Sequence, residues 1–208
     1  MIWEDPTYRD PTKAPPELFA VADVLCPNRP MWLAQGEPFA RFYLDQKLQG
    51  RELQFYSCSG PARLLDPYSY YRLQAWHGWQ VGATGSFFWA FGDNSGASSW
   101  NPYLAKAGPY TPLFLDEKTV TAGKHMEAIR ESVEDYEYLV MLRKAVEQAK
   151  AAGRSDAAVS EAETLLKTAA DEVLHAEGAD RLRWHESKDR TVADRGRIRI
   201  LEVLTELG

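Results

Sequence analysis

The sequence predicts an α/β fold in which parallel strands alternate with crossover helices and a helical region follows. Short apolar runs alternate with segments of helical spacing through the first part of the chain. Those runs are near-continuous rather than alternating, as expected of a sheet covered on both faces. The composition then changes near Thr119: Pro, Gly and aromatic residues give way to Ala, Glu, Lys, Arg and Leu, and only Trp184 is aromatic after Tyr138.

The strands and helices of the first region follow in order. Ile2-Trp3 is a short strand, and Val21 to Cys26 is a second, stopped by Pro27-Asn28. Phe39, Phe42, Tyr43 and Leu48 mark an amphipathic helix. Glu52 to Cys58 is a third strand, ended by Gly60-Pro61. Asp66-Pro67 starts a helix, since Asp caps free amides and Pro at the first position has none to satisfy. That helix carries Tyr70, Leu73 and Trp76 on one face and ends near Gly82. Gly85 to Phe91 is a fourth strand, closed by Gly92-Asp93-Asn94. A flavodoxin-like open sheet and a (β/α)8 barrel both fit this order. Pro27-Asn28, Cys58-Ser59 and Asp93-Asn94 stand just past strand ends, where barrel active sites are built, and favour the barrel.

The second region reads as three helices. Met126, Ile129, Val133, Tyr136 and Val140 recur at helical steps. Gly153 ends that helix, and Ser155 or Asp156 caps the next, which carries Val159, Ala162, Leu166, Ala169 and Val173. The last runs from Thr191 to Leu207 with Ile198, Leu201 and Leu204 on one stripe. The domain division is therefore a partial (β/α) barrel over residues 1–118 and a helical C-terminal region over residues 119–208 packing on it. Arg130, Glu134, Asp135 and Tyr138 are expected to fasten the long helix to the barrel.

Composition excludes several classes. The 208 residues, 45% hydrophobic, suffice for a full-sized core, and two cysteines exclude a disulfide-stapled miniprotein. Without a stretch of about 18 apolar residues, no membrane partner is expected. The net charge of −6 with no basic stripe argues against nucleic acid. Met1-Ile2-Trp3-Glu4-Asp5 lacks the basic head and apolar run of a secretory signal. His77, His125, His175 and His185 have no metal-ligand spacing, and no phosphate-binding glycine loop or nucleophile elbow occurs, so no cofactor and no metal are implied. Cys26 and Cys58, at neighbouring strand ends, read as inert small hydrophobes.

Gly85-Ser86-Phe87-Phe88-Trp89-Ala90, with Ala128-Ile129-Arg130-Glu131-Ser132-Val133-Glu134-Asp135-Tyr136-Glu137-Tyr138-Leu139, resembles the C-terminal part of glycoside hydrolase family 123 and its uncharacterised relatives. Asp23 to Asn28, Tyr56-x-Cys58 and Arg72-Leu73-x-x-Trp76 are similar to further segments of that family, over roughly residues 1 to 145. Ser132 stands where the relatives carry Gly. The resemblance implies the C-terminal half of a (β/α)8 barrel, about four parallel strands with helices, followed by a helical C-terminal region. It also implies hydrolysis of a β-linked N-acetylhexosaminide in which the substrate's acetamido group is the nucleophile. A carboxylic acid then protonates the leaving oxygen, and a second carboxylate steers the acetamide nitrogen.

The family's adjacent Asp-Glu pair has no match on a middle strand here, and the expectation is that it lies upstream of Met1. Glu4-Asp5 is the rival pair, with the order reversed and too little chain before the next strand for a regular unit of about 30 residues. Neighbouring side chains on a strand also point to opposite faces. Tyr56, Trp89 and Trp100 are candidates for stacking on sugar rings, and Asn28, Asp93 and Asn94 for bonding sugar hydroxyls. The expected partner is carbohydrate. Self-association through open sheet edges is expected of half a barrel. The alternative reading is a non-catalytic carbohydrate-binding or structural piece.

Overall fold

The computed structural model describes residues 1–4, 10–58, 64–104, 109–175 and 189–208. It divides into two compact units, Met1–Leu65 with Val81–Met126, and Asp66–Gln80 with Glu127–Gly208.

The first unit is built on a parallel sheet of β1 (Trp3–Glu4), β2 (Val24–Leu25), β3 (Glu52–Ser57) and β4 (Gly85–Phe88). The strands lie in the order β1-β2-β3-β4, with each chain neighbour also a spatial neighbour. A flavodoxin-like sheet reverses its order at a switch point; consecutive parallel strands are the order of a (β/α)8 barrel. The fold is α/β: half such a barrel, followed by a helical C-terminal region.

Trp3 pairs with Val24 and Val24 with Glu52, while Glu4 pairs with Leu25 and Leu25 with Leu53. Paired residues share a face, so Leu25, Leu53 and Phe55 line one side and Trp3, Glu52 and Gln54 the other. The first side packs under α1 (Pro16–Val21), α2 (Arg29–Gln35) and α3 (Glu37–Leu48). Its core joins Phe19, Trp32, Phe39, Tyr43, Leu53 and Phe55. Trp32 meets Phe55 edge-on with ring centroids 4.9 Å apart. The other side is more open, with Trp3 and Phe87 each 48% exposed. There Trp3 Nε1 donates to Gln54 Oε1 (3.1 Å) and Gln54 Nε2 to Glu52 Oε1 (2.8 Å). A Cβ on Gly85 would stand 2.6 Å from the Gln54 side chain, so glycine makes room for this ladder.

Several elements differ from expectation. Val21 ends α1 instead of opening β2, because Pro15 and Pro16 set up a helix start there. The expected helix over Phe39 to Leu48 begins at Glu37, and a second helix precedes it. Gly36, at φ 72°, makes the turn between them, a conformation that glycine adopts without strain. Strand β4 stops at Phe88, so Trp89 stands past its end. An antiparallel hairpin, β5 (Leu113–Leu115) and β6 (Val120–Ala122), lies across Thr119. Its turn is tied by Asp116, which accepts from the Lys118 and Thr119 amides at 2.9 Å each.

The second unit contains the π-helical turn Tyr68–Arg72 and α4 (Leu73–Val81) as far as Gln80. It also holds most of α5 (Lys124–Ala151), with α6 (Ala157–His175) and α7 (Val192–Leu207). Gly153 (φ 80°) terminates α5, and Asp156 caps α6 through the Val159 amide (3.2 Å). Asp135, 1% exposed, is the hub of this unit. It accepts from Arg72 Nε (3.2 Å), Trp76 Nε1 (2.9 Å) and Arg197 Nε (2.6 Å). Ser132 Oγ accepts the Ala75 amide at 3.2 Å, so the hydroxyl occupies a hydrogen-bonding position at the start of α4. On α7, Gly196 leaves room for Val173 and Trp76, whose atoms would lie 3.0 and 3.2 Å from an added Cβ.

The expected residues join Asp135 through Arg197, which also pairs with Glu134 at 3.5 Å. Arg130 pairs with Glu127 and Glu134 on the exposed side of α5, and Tyr138 lies under the Arg197 guanidinium. The buried seam of α5 runs through Ala128, Ser132, Asp135, Leu139, Leu142 and Val146, while Val133 is exposed. On α7 the buried stripe is Ala193, Ile200, Val203 and Leu207 rather than Ile198, Leu201 and Leu204.

Candidate functional site

The ends of β2, β3 and β4 stand side by side in the first unit. Asn28 forms a parallel bridge with Tyr56, Tyr56 pairs with Phe87, and the Trp89 amide donates to the Ser57 carbonyl at 2.9 Å. The C-terminal rim of the sheet therefore presents Asn28, Cys58 and Trp89 on successive strand ends. Polar groups collect there because a strand end leaves backbone groups that the next segment must satisfy.

Asn28 is buried, with both side-chain functions engaged. Its Oδ1 accepts the Met31 amide (2.9 Å), capping α2, and its Nδ2 donates to the Cys58 carbonyl (3.4 Å). Tyr56 is half-buried, and its amide donates to the Pro27 carbonyl at 3.4 Å. Trp89 is 57% exposed and is the open aromatic face of the rim. Its indole Nε1 donates to Asp93 Oδ2 at 3.2 Å, and the Ser95 amide donates to Asp93 Oδ1 at 3.0 Å. The Asp93 carbonyl accepts the Tyr110 and Thr111 amides at 2.9 and 3.1 Å.

Tyr110 is the residue that sequence reasoning missed. Its phenol is pushed above the usual tyrosine range by the neighbouring Cys58 thiol, by burial, by the hydrogen bond to Cys58 and, last, by the Asp93 carboxylate. Cys58 and Tyr110 are far apart in the chain, and no local pattern marks them; only the return of the chain beneath Asp93 joins them. Cys26 and Cys58 form no disulfide; Cys26 is fully buried and Cys58 partly so.

The remaining candidates fall elsewhere. Trp100 is half-exposed and stacks on Phe114, ring centroids 4.5 Å apart and planes at 27°, beside the β5–β6 hairpin. Glu4 ends β1, and its carbonyl accepts the Cys26 amide at 2.8 Å. The register sets Glu4 on the face of Leu25 and Leu53, the side of the α1–α3 core. Asp5 lies outside the described residues. Glu52 is held below the usual carboxylate range by the Thr84 hydroxyl and the Gln54 amide, but it stands at the opposite, N-terminal end of β3. His77 and His125 are buried, and His125 Nε2 lies 3.3 Å from the Leu65 carbonyl. His185 is outside the described residues. Among the described residues, no three His, Cys, Asp or Glu side chains are grouped to hold a metal ion, and no helix is long and apolar enough to cross a membrane.

No protein-family model and no curated protein matches the sequence. The fold does match a solved structure, that of a family 123 glycoside hydrolase from Clostridium perfringens studied for glycolipid glycan hydrolysis. The TM-score is 0.57 and the identity 14%. The match covers 98% of this chain and 34% of the other, so this chain spans about a third of the length of its structural neighbour. At that identity the likeness is one of fold.

Proposed function

We propose that the chain is part of a glycoside hydrolase-like protein acting on a glycan, an N-acetylhexosaminide. We further propose that it supplies sugar contacts from the late strands of the barrel. The observation that carries this reading is the exposed Trp89 ring at the C-terminal rim, flanked by Asp93 and by the Asn28 and Cys58 strand ends. Pyranose C–H faces pack on such a ring. The fold likeness to a glycolipid-hydrolysing enzyme supports the substrate class. Tyr56 adds a second aromatic group at the rim, and Trp100, with one face on Phe114, keeps the other for a more distant sugar unit.

In the whole protein the chemistry is substrate-assisted. The acetamido oxygen attacks the anomeric carbon, an acid protonates the departing oxygen, and a second carboxylate holds the acetamide nitrogen. Glu4 is a poor acid for this step because its register turns it toward the helical core. That register favours a second reading of the chain taken alone, as a non-catalytic carbohydrate-binding piece. Calorimetric titration with N-acetylgalactosamine-containing oligosaccharides is expected to show saturable binding, weakened about tenfold by Trp89→Ala. A nitrophenyl N-acetylhexosaminide is expected to remain intact. Absence of heat with every glycan would overturn the proposal; nitrophenol release would overturn the assignment of the carboxylates to another part of the protein.

A further inference from the structure

We infer that Asp93 is a positioning residue, acting on a bound sugar through Trp89 rather than by touching it. This rests on the glycan reading above and deepens it. Trp89 follows the last residue of β4, and its ring is more than half exposed, so little packing fixes its plane. An exposed indole turns about two side-chain bonds, and a stacking platform that must be immobilised on binding loses affinity to that ordering. The Asp93 carboxylate limits the motion by taking the indole N–H on Oδ2. Its other oxygen is engaged by the Ser95 amide, which orients the carboxylate itself. The backbone of Asp93 is anchored in turn, since its carbonyl accepts both the Tyr110 and Thr111 amides and Thr111 Oγ1 donates to the Phe91 carbonyl at 2.5 Å. Both carboxylate oxygens are therefore committed to orienting groups, and the sugar meets the ring they hold.

The role demands two acceptor oxygens. Asparagine has one oxygen and an amino group that only donates. If the oxygen keeps the Ser95 amide, the amino group of Asp93→Asn faces the indole N–H, donor against donor. The turn survives and the platform is released.

The test pairs a ligand-free readout with a binding one. Nitrogen–proton correlation spectra resolve the indole signals of the seven Trp residues, and Trp89→Phe identifies the Trp89 signal by its loss. Asp93→Asn is expected to move that signal and broaden it, with the other six unmoved as the check that the variant is folded. It is expected to weaken binding of an N-acetylgalactosamine oligosaccharide roughly fivefold, the factor for about one hydrogen bond. Trp89→Phe keeps a ring but not the N–H, and is expected to become insensitive to the change at position 93.

An unmoved Trp89 signal in Asp93→Asn overturns the inference. So does a moved signal with unchanged affinity when Trp89→Ala still loses binding; the glycan reading then stands and the positioning role falls. A native chain that binds no glycan overturns both. Additive losses in the Trp89→Phe, Asp93→Asn double variant would show that Asp93 touches the sugar directly, which also overturns it.

Discussion

The two compact units use their polar residues in opposite ways. In the second, the polar groups of the interior converge on one carboxylate: Arg72, Trp76 and Arg197 from three helical segments all donate to Asp135. In the first, the cluster under the sheet is largely aromatic, with Arg29 of α2 buried in the same unit, while further polar groups gather at the C-terminal strand ends around Asn28, Cys58 and Asp93. Buried polar networks hold a structure in one arrangement when their members are satisfied, and both Asp135 oxygens accept from their neighbours. Cys58 and Asp93, half in water at the rim, are not under that demand, whereas Asn28 is buried with both side-chain functions engaged. The stretch around Glu134-Asp135-Tyr136 thus marks architecture, and the strand ends mark the candidate site.

Three outcomes would sharpen or break this contrast. The largest effect is expected for Asp135→Ala, which leaves Arg72 and Arg197 facing one another without their shared carboxylate. Removing one partner of a buried charge pair costs about 3–5 kcal/mol, to be read from urea unfolding and from lost amide protection in α5 and α7. A cost under about 1 kcal/mol would remove the hub from its place in the comparison.

Next is Asn28→Ala, which removes the α2 cap and the bond to the Cys58 carbonyl together. A cost of about 1–2 kcal/mol is expected in the same measurement. Asn28→Asp should recover most of it, because the carboxylate still caps. Equal loss in both variants would mean that the amide is needed at the rim rather than at the helix.

The smallest effect concerns the start of α7. Asp189 is lowered to about 2 by the Thr191 hydroxyl and amide and by Arg195. Its folded value lies below the ordinary one near 3.9. Its contribution is therefore complete above that ordinary value and lost as pH falls toward 2. Amide exchange in the first turn of α7 should rise over that interval, and Asp189→Asn should flatten the response. A first turn equally protected from pH 5 to about 2 would show that the Asp189 bonds to Thr191 and Arg195 do not hold that turn.

Much of the fold was legible because its signals are local. The Asp66-Pro67 helix start, the Gly153 stop and the strand runs depend on backbone preferences within a few residues. The α5 seam was misread for a physical reason. Its buried face carries Ser132 and Asp135, so the most apolar stripe is not the inward one, and the reading through Val133 follows the stripe. The α7 stripe slipped similarly, with small Ala193 buried and large Ile198 exposed. The shortening of β4 depends on its pairing with β3, distant in the chain, whereas the hairpin beyond Tyr110 is local and its Asp116 turn went unread.

The amino-acid order by itself determined the alternation of strands and helices and the polar residues just past the strands. It did so because hydrophobic period and turn chemistry act over short spans. Only the tertiary structure decided that Glu4 faces the helices, that Asp93 holds Trp89, and that Tyr110 returns to Cys58. The first depends on register and the last on contact between distant residues, while Trp89 and Asp93, four residues apart, meet through the conformation of the turn between them; a shift of one residue in register exchanges the two faces of a strand.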